Sequence, residues 1–275
     1  MLKGKGFTAA LAAAMLGTLA FGGMASANPV TLIDGNSEAT IDFESSDGMS
    51  SWIVDGVDHL FQQWFWYRIG DIGGEASIDT LDVGRYGTTD TNFDQDDDTL
   101  FVEYLGDGFS IEVRFGLDGG AIGSGGSDVT EQITITNTGQ SALDFSFFQY
   151  SDFDLNETPG DDSVVLTNAN TWRQSDGGTS LNETIVTPAG THFEAGYYSD
   201  QLANLNDGSP TTLTDVAGPL GPGDVTWAFQ WDTTIAAGNS LQISKDKNIR
   251  VPAPGAALLG MLGLGMVRWA RRRIA

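Results

Sequence analysis

Between Gly108 and Leu117 the chain reads GFSIEVRFGL, with Phe109, Ile111, Val113 and Phe115 alternating with Ser110, Glu112 and Arg114. Successive side chains of a strand point to opposite faces, so this alternation predicts a β-strand with one face buried. The same period recurs in DVTWAFQWD, where Val225, Trp227, Phe229 and Trp231 oppose Thr226, Ala228, Gln230 and Asp232. EQITITNTGQSALDFSFFQYSDFDL predicts a strand through Ile133 and Ile135, a turn at Asn137-Thr138-Gly139 and a second strand through Leu143, Phe145 and Phe147. TTIAAGNSLQISK predicts a similar return into Leu241 and Ile243. No stretch between the two ends carries a sustained i, i+3, i+4, i+7 apolar stripe, so helices are expected to be few and short. These patterns predict a mainly β body, an antiparallel β-sandwich of jelly-roll or Ig-like type. The run GLDGGAIGSGGSD, Gly116 to Asp128, lacks the Gly-Lys-Ser/Thr ending of a phosphate loop. It reads as a flexible connection, and as the seam if the body divides into two sub-domains.

Charge is divided unevenly along the chain. All 37 acidic residues lie between Asp34 and Asp246, and residues 28–250 hold only seven Lys and Arg, a net charge of −30 for that part. A nucleic-acid binder needs the opposite sign, so that class is excluded. With no cysteine there is neither a disulfide nor a thiolate metal site. Stability must then come from a large core, from bound ions or from both.

The two ends differ from the body. Lys3 and Lys5 precede the apolar run FTAALAAAMLGTLAFGGM and then Ala25-Ser26-Ala27, the order of parts in a secretory signal peptide. Cleavage by signal peptidase after Ala27 is expected, so 1–27 is read as a signal helix and the body as exported. At the other end, Val251 to Val267 carries no charge over 17 residues, about 26 Å as a helix. That is just long enough for a transmembrane helix when Arg268 snorkels and Trp269 sits at the interface. Arg268, Arg271, Arg272 and Arg273 place the far end in the cytoplasm by the positive-inside rule.

The tail, 251–275, resembles the PEP-CTERM sorting signal of Gram-negative bacteria. Val251-Pro252-Ala253-Pro254 takes the place of the Pro-Glu-Pro motif and looks like a VPxP variant, followed by the short apolar helix and the arginine cluster. The resemblance covers about 25 of 275 residues and carries no activity with it. It implies export across the inner membrane, a transient membrane anchor, and recognition by an exosortase, a membrane cysteine transpeptidase. It also implies release or attachment at the cell surface in company with exopolysaccharide.

Within the body the sharpest chemical pattern is TTDTNFDQDDDTLF, where Asp94, Asp96 and Asp98 alternate and Asp90 and Asp97 lie close by. Hard oxygen ligands at this density suit calcium, although the glycine and closing glutamate of an EF-hand are missing; a solvated acidic turn is the alternative. DFDLNETPGDD is a weaker candidate for the same ion, with Asp152, Asp154 and Asn156 at every second position before Asp161 and Asp162. In SWIVDGVDHLFQQWFWYRIG, Trp64 and Trp66 share one strand face. If that face is open to solvent they could stack on sugar rings; otherwise they fill the sandwich core. His59 and His192 have no recognisable metal-ligand or triad spacing, and among 37 carboxylates a catalytic pair can be drawn anywhere.

The expectation from sequence is therefore a non-enzymatic cell-surface or extracellular-matrix protein, with a carbohydrate-binding module as the alternative and a secreted glycoside hydrolase third. Processing at both ends has a direct check. The intact mass of the surface form is expected to lack 1–27 and the arginine cluster, and a form ending at Ala275 contradicts processing of the tail.

Overall fold

The computed structural model describes residues 29–252. The signal segment 1–27, Ala253, Pro254, the expected membrane helix and the four arginines lie outside the described residues. The strands are β1 (Val30–Asp34), β2 (Ser37–Asp42), β3 (Gly48–Val54), β4 (Val57–Asp58), β5 (Gln62–Ile69), β6 (Ala76–Ser77), β7 (Asp82–Thr89), β8 (Thr99–Gly106) and β9 (Phe109–Gly119). They continue with β10 (Gly126–Asn137), β11 (Leu143–Asp152), β12 (Asp162–Asn168), β13 (Thr171–Asp176), β14 (Thr179–Thr187), β15 (His192–Tyr197), β16 (Leu220–Gly223), β17 (Val225–Ile235) and β18 (Ser240–Arg250). One short α-helix, α1 (Asp200–Leu205), lies between β15 and β16. Among the described residues no helix is long and apolar enough to cross a membrane.

The strands form two nine-stranded sheets. The first runs β1-β2-β3-β5-β11-β17-β15, with β4 on β3 and β6 on β5; the second runs β16-β12-β13-β14-β18-β10-β9-β8-β7. Pairing is antiparallel except for a short parallel contact of β3 with β5. The sheets pack face to face through rings from both. Phe65 meets Phe115 at 6.3 Å between centroids, Tyr67 meets Phe109 at 5.4 Å, and Trp172 meets Trp227 at 6.3 Å. The expected antiparallel architecture is present, but eighteen strands exceed the seven to nine of an Ig domain and the eight of a jelly roll. The glycine-rich run is the tip of the β9–β10 hairpin, whose strands pair from Gly119 with Ser127 onward, and not a linker.

The turn at Asn137-Thr138-Gly139 and the return before Leu241 both carry the chain from one sheet to the other. β10 lies in the second sheet and β11 in the first, and β17 in the first leads to β18 in the second. The crossings brace each other: the Asn137 N–H donates to Asn239 O at 3.0 Å, and the Gly238 N–H donates to Asn137 O at 3.0 Å. The Asn137 side-chain amide also donates to Ser141 O and Ile235 O, joining both crossings at one residue.

β11 and β17 are buried on both faces. Their inner residues Phe145, Phe147, Trp227 and Phe229 face the second sheet, while Phe148, Tyr150, Thr226 and Gln230 on the outer face are also buried. The outer cover is the segment 198–216, which includes α1. Its Gln201, Leu205 and Leu213 are buried, the Thr226 hydroxyl donates to Gln201 Oε1 at 2.7 Å, and the Leu213 N–H donates to Gln230 Oε1 at 2.9 Å. At the chain's exit, Val251 packs against the core and donates its N–H to Gly125 O.

The inter-sheet space also holds four ions. Lys245 and Lys247 of β18, Glu131 of β10 and Glu183 of β14 have side chains with no solvent exposure. Lys245 Nζ is 3.2 Å and Lys247 Nζ 3.5 Å from Glu183 Oε1, and both lysines also contact Glu131. From the facing sheet, Trp227 Nε1 donates to Glu183 Oε2 at 2.7 Å, and the Gln149 side chain donates to its other oxygen. Burial by itself raises the Glu183 carboxyl, but Lys247 and Lys245 outweigh it and hold the group below the usual carboxylate range. Removing one member of such a set leaves the others buried and unbalanced, so Glu183→Gln is expected to cost about 3–5 kcal/mol in urea unfolding. A cost below about 1 kcal/mol would show that the four charges do not act as a unit.

Candidate functional site

The aspartates expected to hold calcium are not brought together. Asp98 is buried and accepts from the Thr91 N–H and hydroxyl, Asp94 accepts from the Asp96 N–H, and Asp90 accepts from the Phe93 and Gln95 N–H groups. Each carboxylate is occupied by its own turn, the usual use of aspartate in loops. Asp96 is exposed to solvent.

Trp64 and Trp66 are fully buried and offer no ring to a sugar. They do not lie between the sheets either. Their partners across β11 are Tyr150 and Phe148, on the outer face of the first sheet. Trp66 Nε1 donates to Asn206 Oδ1 of the covering segment at 3.2 Å, and Trp64 Nε1 donates to Asp79 Oδ1 at 3.1 Å. His59 is also structural. Burial outweighs Asp58 and Glu157 and lowers its imidazole to about 4, so it is neutral and accepts the Asn156 N–H at Nδ1, 3.0 Å away.

Polar groups gather at both ends of this outer face. Where β11 begins, Arg68, Ser146 and Asp232 are cross-strand neighbours, and Gln230 pairs with His192 on β15. With Asp71 and Asp144 they line a cleft of about 640 Å³. His192 Nδ1 lies 3.1 Å from Oδ2 of Asp215, which fixes the ring, and Nε2 lies 3.9 Å from Oδ2 of Asp232. Asp232 accepts from Gln230 Nε2 at 2.8 Å. Arg68 is held by Glu75, by Thr211 O at 2.8 Å and by Ser146 Oγ at 3.2 Å. The cleft thus presents an oriented imidazole beside a carboxylate, with a guanidinium and an amide fixed nearby. His192 carried no signal in the sequence because Asp215 and Asp232 follow it by 23 and 40 positions and meet it only through the sheet.

Where β11 ends, three carboxylates converge. Asp152 closes β11, Asp154 follows two residues on, and Asp224 precedes β17, whose Thr226 pairs with Asp152. One oxygen from each lies within 4.8 Å of the others, a group that could hold a metal ion. They open on a pocket of about 180 Å³ walled by Phe61, Pro159 and Tyr198, the two rings edge to face at 5.8 Å. Asp152 and Asp154 belong to the weaker of the two calcium candidates, whereas Asp224 was missed because it lies 70 positions downstream. Asn156 is turned away and donates its side-chain amide to Asp176.

Burial, with the neighbouring carboxylates adding to it, raises Asp152 to about 8 although the Tyr150 hydroxyl bonded to it acts in the opposite sense. Burial and then Asp224 raise Asp154 to about 6. A carboxyl raised in the folded state keeps a proton that the unfolded chain releases near its ordinary value, so its stabilising effect is complete below that value and is lost as pH rises through 8. In chelator, stability is expected to fall between pH 5 and 9, and Asp152→Asn is expected to flatten that slope in urea titrations at each pH. A parent protein whose stability rises over this range would contradict the assignment.

No family model matches the chain, and no curated protein sequence matches it. Among solved structures it is similar to a bacterial glucoamylase complexed with acarbose, with a TM-score of 0.51 and 8% identity over 83% of this chain and 32% of that one. It is similar also to a putative aldose 1-epimerase from Escherichia coli K12, with a TM-score of 0.50 and 10% identity over 82% of this chain and 99% of that one. The chain therefore spans about a third of the glucoamylase and nearly all of the epimerase-like protein. At these identities the likeness is one of fold. It corrects the expectation of a non-enzymatic body, which rested on finding no recognisable catalytic spacing: the fold is one that a glucoamylase and a putative aldose 1-epimerase share.

Proposed function

We propose that the body is a carbohydrate-acting protein whose sugar site is the cleft at the start of β11, and that it performs general acid–base chemistry at a sugar ring. The observation that carries this is the placement of His192, held by Asp215, beside Asp232 in a cleft that also contains Arg68 and Gln230. Ring opening of an aldose needs one group to take the proton from the anomeric hydroxyl while another delivers a proton to the ring oxygen as its bond to the anomeric carbon breaks. Closure runs the two transfers in reverse. An imidazole and a carboxylate are the pair suited to this near neutral pH. Arg68 and Gln230 supply donors for the remaining hydroxyls, and the absence of a cysteine nucleophile is no obstacle to this chemistry. The fold shared with a putative aldose 1-epimerase supports the choice of substrate class.

The ends of the chain complete the proposal. The signal segment 1–27 would export the body, and the VPxP-type tail would present it to an exosortase for sorting to the cell surface, where sugars of the exopolysaccharide are the available substrates.

The test is polarimetric. The folded protein is expected to accelerate anomer interconversion of at least one reducing sugar, and His192→Ala and Asp232→Asn are each expected to reduce the rate about 10²-fold or more. A folded protein that accelerates none of a panel of aldoses would overturn the proposal.

A further inference from the structure

The pocket at the far end of β11 is a second site with a different chemistry. We propose that Asp152, Asp154 and Asp224 hold a divalent cation of the calcium class, which ties the end of β11 and the loop after it to the start of β17.

Convergence of three carboxylates within 4.8 Å is the first observation. The second is independent of it. Asp152 is 1% exposed; its Oδ2 accepts from the Tyr150 hydroxyl at 3.0 Å, while its Oδ1 has no hydrogen-bond partner. Asp152 lines the pocket that Asp154 and Asp224 share, which puts the carboxyl bearing this unpartnered oxygen at the cluster. A buried acceptor left without a donor is costly, and a cation supplies the missing partner. The contrast with the aspartate loop at 90–98 is direct, because there each carboxylate described above accepts from its own loop.

Among the described residues no cation pairs with the cluster. Among the described residues the ion pairs of Arg68, Arg85, Arg114, Lys245 and Lys247 all lie elsewhere, and none involves Asp152, Asp154 or Asp224. The donor set of the cluster is all oxygen, with no histidine or cysteine, which selects hard ions over zinc or copper. Calcium takes six to eight oxygens in irregular geometry, and magnesium demands a near-ideal octahedron. Three carboxylates from two chain segments, facing a pocket of about 180 Å³ that has room for water ligands, fit the former. The Phe61 and Tyr198 rings wall one side of it.

The site does not rest on the sugar cleft. Asp144, in the cleft, and Asp152, in the pocket, are eight residues apart on one strand, roughly 27 Å. Failure of either proposal leaves the other standing.

The experiment is calorimetric titration of the full chain with calcium chloride after treatment with chelator, paired with thermal melting. One equivalent is expected to bind, and a hundredfold excess over Kd is expected to raise Tm by about 5–10 °C. Asp224→Asn and Asp154→Asn, both on partly exposed residues, are expected to melt no lower than the parent in chelator and to lose the calcium-dependent rise. Asp94→Asn/Asp96→Asn is expected to keep it. No binding by the parent would overturn the proposal, as would a calcium shift that survives in Asp224→Asn and Asp154→Asn, or magnesium binding more tightly than calcium.

Discussion

Everything in this sandwich is arranged around four charged side chains that no water reaches. Lys245, Lys247, Glu131 and Glu183 come from three adjacent strands, β18, β10 and β14, and are completed by Gln149 and Trp227 from the opposite sheet. Desolvating such groups is expensive, and their mutual attraction offsets it only when the geometry is good and the remaining lone pairs are bonded. Because side chains alternate with period two, a one-residue slip of β18 would turn both lysines to solvent and two polar residues inward. The cluster therefore specifies one register among β10, β14 and β18, and one alignment of the two sheets. It also affects the surface. With Arg68, it takes three of the seven cations of the body into the interior, each balanced by a buried glutamate, so the net negative charge stays on the surface.

With the sheets so aligned, the outer face of the first sheet carries both candidate sites. The segment 198–216 covers its middle, where Trp66 bonds to Asn206, while Trp64 bonds to Asp79, and Trp64, Trp66, Phe148 and Tyr150 are all buried as a second apolar layer. What remains open are the two ends of β11. One end gathers His192, Asp232 and Arg68 in a cleft, and the other gathers Asp152, Asp154 and Asp224. One strand thus spaces two polar sites with a rigid apolar layer between them, the kind of support that holds site residues in place.

The strands were legible from the sequence, and so were the inner faces of several. Phe109, Ile111, Val113 and Phe115 alternate and are buried, as are Trp227 and Phe229. Period two says which side of a strand is apolar, but not whether the other side is also covered, so the burial of Thr226 and Gln230 was hidden. Turn residues at 137–139 and 237–239 announce a reversal without saying which sheet receives the next strand. Lys245 and Lys247 sit at inward positions of a visible alternation, yet charged residues there read as an outward face until their partners are seen. The sites were harder to read. Asp152 and Asp154 stood out as neighbours in the sequence, but Asp224 joins them only through the pairing of β11 with β17. Local density at Asp94, Asp96 and Asp98 pointed instead to a loop that bonds Asp94 and Asp98 itself and leaves Asp96 in solvent.

The central claim is that sugar binds on the outer face of the first sheet. Its most direct test is a crystal structure of the protein soaked with a monosaccharide it binds. The account predicts a sugar ring in the cleft within hydrogen-bond distance of His192, Asp232 and Arg68. Density instead in the shallow groove on the second sheet beside Phe101, Arg114 and Thr130, with the cleft empty, would contradict it.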